Sequence, residues 1–361
     1  MARYVLIFCL LPIASLAADV PWLEEVQRSP ENGPKPVRKL APLMTDEDLQ
    51  SNDALTRWRN RRSELLRVWQ QLLGPMPERP KSNTFEVLDT THLDTLTRQR
   101  IRYENEPGQF LEAYLLQPSN IRQSERRPGL IALHATTDRT NEPIAGVGGR
   151  DDEQLGLKLA MQGFVVICPK NFLWQDAKSL NDAVAQFRQR HPGTLGMQKM
   201  LYDAQRATDI LASLANVDSE RLGAVGHSLG AKEVLYLTAF DNRISAAVFS
   251  EGGLSFESTN WQAPWYLGPI VQRDDFPRNH HELVALIAPR PFLVLGGETG
   301  PGAADGDRSW PYLVSARPIY ELYGAPPRFG LLNHHEGHAI SSKSFDRLSE
   351  WLRTYLRLKS E

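Results

Sequence analysis

Short apolar runs alternating with helix-forming stretches predict an α/β fold, a mostly parallel sheet with helices on both faces. Three observations carry this expectation. From about residue 130 onward, Leu130–His134, Phe164–Cys168, Leu222–Gly226, Ile244–Ser250, Pro291–Gly296 and Arg328–Leu332 each read as a buried strand. Helical stretches fall between or after them, at Glu153–Gln162, Met197–Leu214, Ala231–Phe240, Trp310–Tyr323 and Ser341–Leu358. Finally, Gly226-His227-Ser228-Leu229-Gly230 lies where one such strand gives way to a helix. A G-x-S-x-G turn in that setting is a nucleophile elbow, which lifts a serine hydroxyl clear of the sheet edge. Its glycines are needed because the turn is strained and the flanking elements pass too close for a Cβ.

The elements before residue 130 read differently. Residues 1–18 have the layout of a signal peptide: Arg3, then an apolar run from Val5 to Leu16, then the small-x-small site Ser15-Leu16-Ala17. That run is short for a membrane span, and Cys9, following the bulky Phe8, does not suit lipid attachment. Residues 19–55 carry Pro21, Pro30, Pro34, Pro36 and Pro42 and predict an extended arm with little regular structure. Leu55–Leu73 turns helical, with Leu55, Trp58, Leu65, Leu66, Val68, Trp69, Leu72 and Leu73 on one face, and Gly74-Pro75 stops it. Phe85–Thr91, Thr97–Tyr103 and Phe110–Leu116 predict an antiparallel meander. Residues 56–361 then form the main domain. Within it, a stretch of about 252–282 lacks periodicity, is rich in aromatics and reads as a cap over the sheet.

Composition narrows the function. The 361 residues carry a formal net charge of −2, which excludes a basic nucleic-acid footprint. Of two cysteines, only Cys168 lies beyond the leader, so an exported chain would have no internal disulfide, and Cys168 reads as a buried strand residue.

A serine hydroxyl needs an adjacent base, and in this architecture the chain order is serine, acid, histidine. Asn333-His334-His335-Glu336-Gly337-His338 follows the last strand. His338 is the expected base, since Gly337 permits a sharp turn before the final helix; His334 and His335 are the alternatives. Three close histidines also suggest a metal site, but they lack the helical spacing of two ligands four apart, and no metal or other cofactor is expected. For the acid, the Gly297–Arg308 loop offers Asp307 first and Asp305 second, and Glu251, just after Ile244–Ser250, is a third candidate. The oxyanion donors are expected to be the backbone N–H groups of Leu229 and Thr136, with Ala135 as the alternative to Thr136. Trp261, Trp265 and Tyr266 read equally well as a sugar-stacking surface or as the core of the cap. Arg273 and Arg278 suit solvated loop arginines, and His227 suits packing at the elbow.

From about Trp58 to Trp351 the chain resembles α/β-hydrolases of the acetyl xylan esterase and dienelactone hydrolase-like group, especially exported bacterial members. The resemblance runs through Trp58-Arg59 to Leu73-Gly74-Pro75, Tyr103 to Gly108, Ala113 to Pro118, and Leu133-His134-Ala135-Thr136-Thr137 with Asn141-Glu142-Pro143 and Gly146-Val147-Gly148-Gly149. It continues through Gly226 to Glu233 and Asn260-Trp261 to Trp265-Tyr266-Leu267-Gly268. It implies an α/β-hydrolase fold and an exported serine esterase acting on acetylated carbohydrate or related small esters, with Ser228, His338 and a loop Asp as triad. The chain departs from the group at Pro169-Lys170, where many members carry Asp or Arg after the proline. Glucuronoyl esterases are similar at a greater remove, since they usually carry Arg where this chain has Leu229. The rivals are an exported serine peptidase of the same fold, for which residues 19–120 are short, and a non-catalytic ligand-binding protein on a hydrolase scaffold. No stable membrane association is expected after leader cleavage.

Overall fold

The computed structural model describes residues 19–358 apart from Asn32, Val37, Gln123, Ala303, Ala304 and Ala325. The expected signal peptide lies outside the described residues.

The chain opens with α1 (Leu23–Val26), α2 (Asp46–Gln50) and α3 (Ala54–Leu73), followed by the meander β1 (Phe85–His92), β2 (Leu96–Glu106) and β3 (Gln109–Pro118). The alternating part comprises β4 (Arg127–Leu133), α4 (Leu155–Met161), β5 (Val165–Pro169), α5 (Leu180–Arg190), α6 (Gly196–Ala212), β6 (Val217–His227), α7 (Leu229–Phe240) and β7 (Ile244–Ser250). It ends with α8 (His280–Ile287), β8 (Phe292–Gly296), α9 (Trp310–Glu321), β9 (Phe329–Asn333) and α10 (Ser342–Tyr355). Helices α5 and α8 fall in stretches the sequence left unassigned. Every residue of β4, β5 and β8 is buried, which is why β5, β8 and the Leu130–Leu133 part of β4 read as unbroken apolar runs.

One nine-stranded sheet runs in the order β1-β2-β3-β5-β4-β6-β7-β8-β9. Strands β4 to β9 pair in parallel, and β1, β2 and β3 form an antiparallel flank joined through β3 to β5. One apolar cluster fills the face under α3, α6, α7 and α8, and another lies under α4 and α10. Parallel strands deliver all their C-terminal ends to one edge, so the loops after β4, β6, β7, β8 and β9 meet there.

The arm is more structured than its prolines suggest. Val20, Trp22, Leu23 and Val26 are buried, with Trp22 stacked near Trp351 and its Nε1–H donated to Glu350 at 2.6 Å. The Gln27 side-chain amide donates to the carbonyls of Pro327 and Phe329, capping the free edge of β9.

Candidate functional site

Ser228 stands between the end of β6 and the first residue of α7 with φ 57° and ψ −114°, a conformation costly for any residue with a Cβ. The strain persists because both sides are held. The Ser228 N–H donates to the Ser250 carbonyl at 2.8 Å, and the first turn of α7 lies directly on the end of β4. A Cβ added at Gly230 would sit inside the Leu133 carbonyl. The first N–H groups of an α-helix have no acceptor within it, so the start of α7, with Leu229 at its first position, favours an anion.

Ser228 opens into a cavity of about 240 Å³ that it shares with His338, His227, Ala135 and Thr136. Leu133, Pro143, Ile144, Leu155 and Ile340 supply its apolar wall, and Thr137, Thr140, Arg150, Asp152 and Glu153 its polar rim. The β4–α4 loop builds most of this wall, a role the sequence reading did not assign to it beyond Ala135 and Thr136. A wider groove of about 670 Å³, between residues 76–83 and α6, contains none of the candidate residues.

Behind His338 stands Glu251, the third-ranked acid candidate. It follows β7 at φ 61° and is 2% exposed. Its Oε1 accepts from His334 Nε2 at 2.7 Å, and its Oε2 faces His338 Nδ1 at 3.5 Å, with no other partner for either of those two atoms. Burial acts to raise the Glu251 pKa. The two histidines, with His227 nearby, outweigh that and hold it below its ordinary value, so the carboxylate is ionised at neutral pH. Gly297, at the end of β8, has no side chain because the carboxylate fills that space.

The two preferred aspartates point elsewhere. Asp305 accepts from the Gly253 N–H at 2.8 Å and from the Ser309 hydroxyl, while the same hydroxyl oxygen accepts from the Leu254 N–H at 3.1 Å. It ties the β8–α9 loop to the segment after β7. Burial pushes its pKa up to about 6. Asp307 accepts from the Asn333 side chain at 3.0 Å. Of the three candidate carboxylates, Glu251 is the one that faces His338. Of the alternative histidines, His335 is exposed and pairs with Glu298 at 2.6 Å, and His334 is turned onto Glu251.

The cap aromatics also move away from the site. Trp261 is fully buried, donates Nε1–H to the Gly253 carbonyl at 2.7 Å and packs on His280 with ring centroids 4.2 Å apart. Tyr266 is 2% exposed, Trp265 is half-buried beside it, and none of the three borders the Ser228 cavity. They form the cap's core, resting on Lys232 of α7, whose burial lowers its pKa to about 7. Trp261→Ala is accordingly expected to cost about 3–5 kcal/mol of stability while leaving KM for a small ester within about twofold, checked by denaturant unfolding beside steady-state kinetics. A large rise in KM with unchanged stability would return Trp261 to the substrate.

His227 packs its ring 4.6 Å from that of His338 and bonds Ser250 Oγ through Nδ1 at 3.1 Å. Burial and the neighbouring His338 lower its pKa to about 3, so it is neutral. His134, missed as a site residue, accepts from the Asn171 N–H at Nε2 (3.1 Å), which leaves Nδ1–H to donate to the Ala135 carbonyl at 2.8 Å. Burial lowers its pKa to about 4. Asn171 in turn donates to the buried Glu233 at 3.0 Å. Only its position at the end of an apolar strand, before the loop expected to supply an oxyanion donor, marked His134 in sequence.

Cys168 is buried, and burial raises its thiol pKa, as suits a strand residue. Among the described residues no helix is long and apolar enough to cross a membrane, and no group of three or more His, Cys, Asp or Glu side chains is placed to hold a metal ion.

The dienelactone hydrolase family model matches residues 111–272, which include β4, the elbow and most of the cap. A glucuronoyl esterase from Solibacter usitatus superposes with a TM-score of 0.67 at 17% identity, covering 89% of this chain and 98% of its own. A CE15 glucuronoyl esterase from Teredinibacter turnerae gives 0.64 at 19% identity, covering 87% and 88%. A putative acetyl xylan esterase from Bacteroides fragilis gives 0.60 at 16% identity, covering 76% and 75%. In fold, then, these glucuronoyl esterases stand no further off than that acetyl xylan esterase, despite Leu229. No curated protein matches the sequence.

Proposed function

We propose that the chain is an α/β-hydrolase and, within that fold, a serine carboxylic-ester hydrolase with the triad Ser228, His338 and Glu251. The observation that carries this reading is the buried Glu251 carboxylate facing His338 Nδ1, while His338 and Ser228 share one cavity.

Ser228 Oγ attacks the ester carbonyl as His338 Nε2 takes its proton. Glu251 holds the ring with Nδ1–H toward itself and stabilises the imidazolium that forms. The 3.5 Å separation shortens when substrate closes the site, as catalytic hydrogen bonds commonly do. The negative charge on the tetrahedral oxygen falls on the Leu229 and Thr136 N–H groups. His338 then returns the proton to the departing alcohol. Water, activated by the same imidazole, cleaves the acyl-enzyme and regenerates Ser228.

The proposed substrate class is an ester of a carbohydrate, supported by the glucuronoyl and acetyl xylan esterases among the fold neighbours. An acetylated sugar is the first candidate, and an ester of a uronic acid is the second, supported by the greater chain coverage of the glucuronoyl esterases. Export, expected from residues 1–18, completes the proposal.

The test is release of acid by the chain from Asp19 onward, wild type against Ser228→Ala, on 4-nitrophenyl acetate, acetylated xylan and a glucuronic acid methyl ester. Ser228→Ala is expected to lower kcat at least about 10⁴-fold. Turnover that survives the substitution would remove the serine mechanism. Serine-dependent turnover of the nitrophenyl ester alone would keep the mechanism and discard the carbohydrate.

A further inference from the structure

We infer that His334 is a positioning residue, a fixed donor that clamps the triad carboxylate for His338; this assignment presupposes the Ser228–His338–Glu251 reading.

Glu251 is a buried charge, and a buried carboxylate must have hydrogen bonds to remain ionised. In the resting site His338 stands 3.5 Å away, too far to donate well, whereas His334 Nε2 lies 2.7 Å from Oε1. The direction of that bond is fixed by what the other ring nitrogen does. His334 Nδ1 accepts from the Glu336 N–H at 3.3 Å, so it carries no proton, and Nε2 must carry one. His334 is thus a neutral ring donating to Glu251. Its own backbone is pinned, with its N–H on the Gly296 carbonyl at 3.0 Å, next to the Gly297 position that makes room for the carboxylate.

This arrangement leaves Oε2 free for one partner only. With Oε1 held, the carboxylate cannot rotate, and Oε2 keeps its lone pair aimed at His338 Nδ1. His334 does not border the Ser228 cavity, so it acts through Glu251 and not on substrate. The charged and titratable groups around the pair come from four elements. They are His227 at the end of β6, Asp305 in the β8–α9 loop, Asp152 in the β4–α4 loop acting on His227, and the two histidines after β9.

Three full-length mature proteins test this: wild type, His334→Leu and His334→Gln, the last because its side-chain amide places a donor near the Nε2 position. On 4-nitrophenyl acetate, His334→Leu is expected to lower kcat about tenfold to a hundredfold with little change in KM. It should also move the acidic limb of the pH–rate profile up by about one unit, because an unclamped carboxylate is more basic and holds a proton on the pair longer. His334→Gln should recover most of the rate and the wild-type limb. Equal losses in Leu and Gln variants with an unmoved limb, or a Leu variant as fast as wild type, would overturn the assignment.

Two-dimensional ¹H–¹⁵N spectra of the imidazoles give a readout that needs no turnover. A His334 ring protonated at Nε2 at neutral pH supports the clamp, and one protonated at Nδ1 overturns it. Were the wild type to show no Ser228-dependent hydrolysis, the triad reading would fall while the tautomer still decided the clamp.

Discussion

Glu251→Gln is expected to lower kcat about 10³–10⁴-fold, while Asp305→Asn and Asp307→Asn each stay within about tenfold of wild type. Glutamine keeps the shape of the carboxylate, and its carbonyl can still accept from His334 Nε2. That choice turns the amide NH₂ toward His338 Nδ1, donor against donor. His338 must then move its proton to Nε2, the nitrogen that has to receive the Ser228 proton. Removing the charge also leaves the imidazolium without its buried counter-charge. The two aspartates bond to the cap segment and to Asn333, so neutralising them loosens a loop without altering the tautomer. Steady-state kinetics on one activated ester, with folding checked by near-UV circular dichroism, separates these cases. If Asp307→Asn were the slow enzyme and Glu251→Gln the fast one, the triad would have to be rebuilt around the later loop.

The same substitution has a pH signature. Because the folded Glu251 pKa lies below its ordinary value of 4.5, its charge stabilises the fold above that pH and the contribution is lost as pH falls through the folded value. Wild-type stability should therefore decline more steeply than that of Glu251→Gln on acidification below about pH 4.5.

Gly230→Ala is expected to destabilise by about 3 kcal/mol or more. The added methyl would meet the Leu133 and His134 backbone, which cannot swing aside as a flexible side chain would. Leu133 pairs with Gly226 across β4 and β6, so the clash lies at the point where two central strands and α7 converge. Relief requires α7 to lift from the sheet edge, carrying the Leu229 N–H away from Thr136. A displacement of about 1 Å in a positioning group is enough to cost about 10²-fold in rate. Thermal unfolding against Gly33→Ala, whose new Cβ meets nothing closer than 3.4 Å and should change stability by less than about 0.5 kcal/mol, isolates the effect. A Gly230→Ala protein with wild-type stability and activity would mean that α7 is not seated on β4.

Much of this was legible in sequence because parallel strands buried on both faces are written as continuous apolar runs. Leu130–Leu133, Val165–Cys168 and Phe292–Leu295 have no polar member. The elbow was legible for a similar reason, since the demand for small residues at Gly226 and Gly230 is local. The acid was not. The loops after β7 and β8 emerge side by side from neighbouring strands, and which one faces His338 depends on a through-space relation. Three carboxylates in Gly297–Arg308 outweighed one at Glu251, although the empty position at Gly297 is the complement of the Glu251 side chain. Trp261 and Tyr266 illustrate a second limit. The same aromatics serve a sugar platform or a cap core, and only side-chain direction distinguishes them. In the arm, the prolines concealed Trp22, Leu23 and Val26, whose spacing is short but whose partners lie about 300 residues away.

That separation bears on how the chain reaches its finished state. The arm is synthesised long before the surface it covers, β9 with α10, so Trp22 and Gln27 wait without their partners until those elements have emerged. Contacts of such long sequence separation form late, after the loop entropy between them has been lost. His334 and His338 follow β9 directly, and their geometry is settled only when that strand is. The appearance of hydrolytic activity during refolding would thus time the meeting of the arm with the end of the sheet.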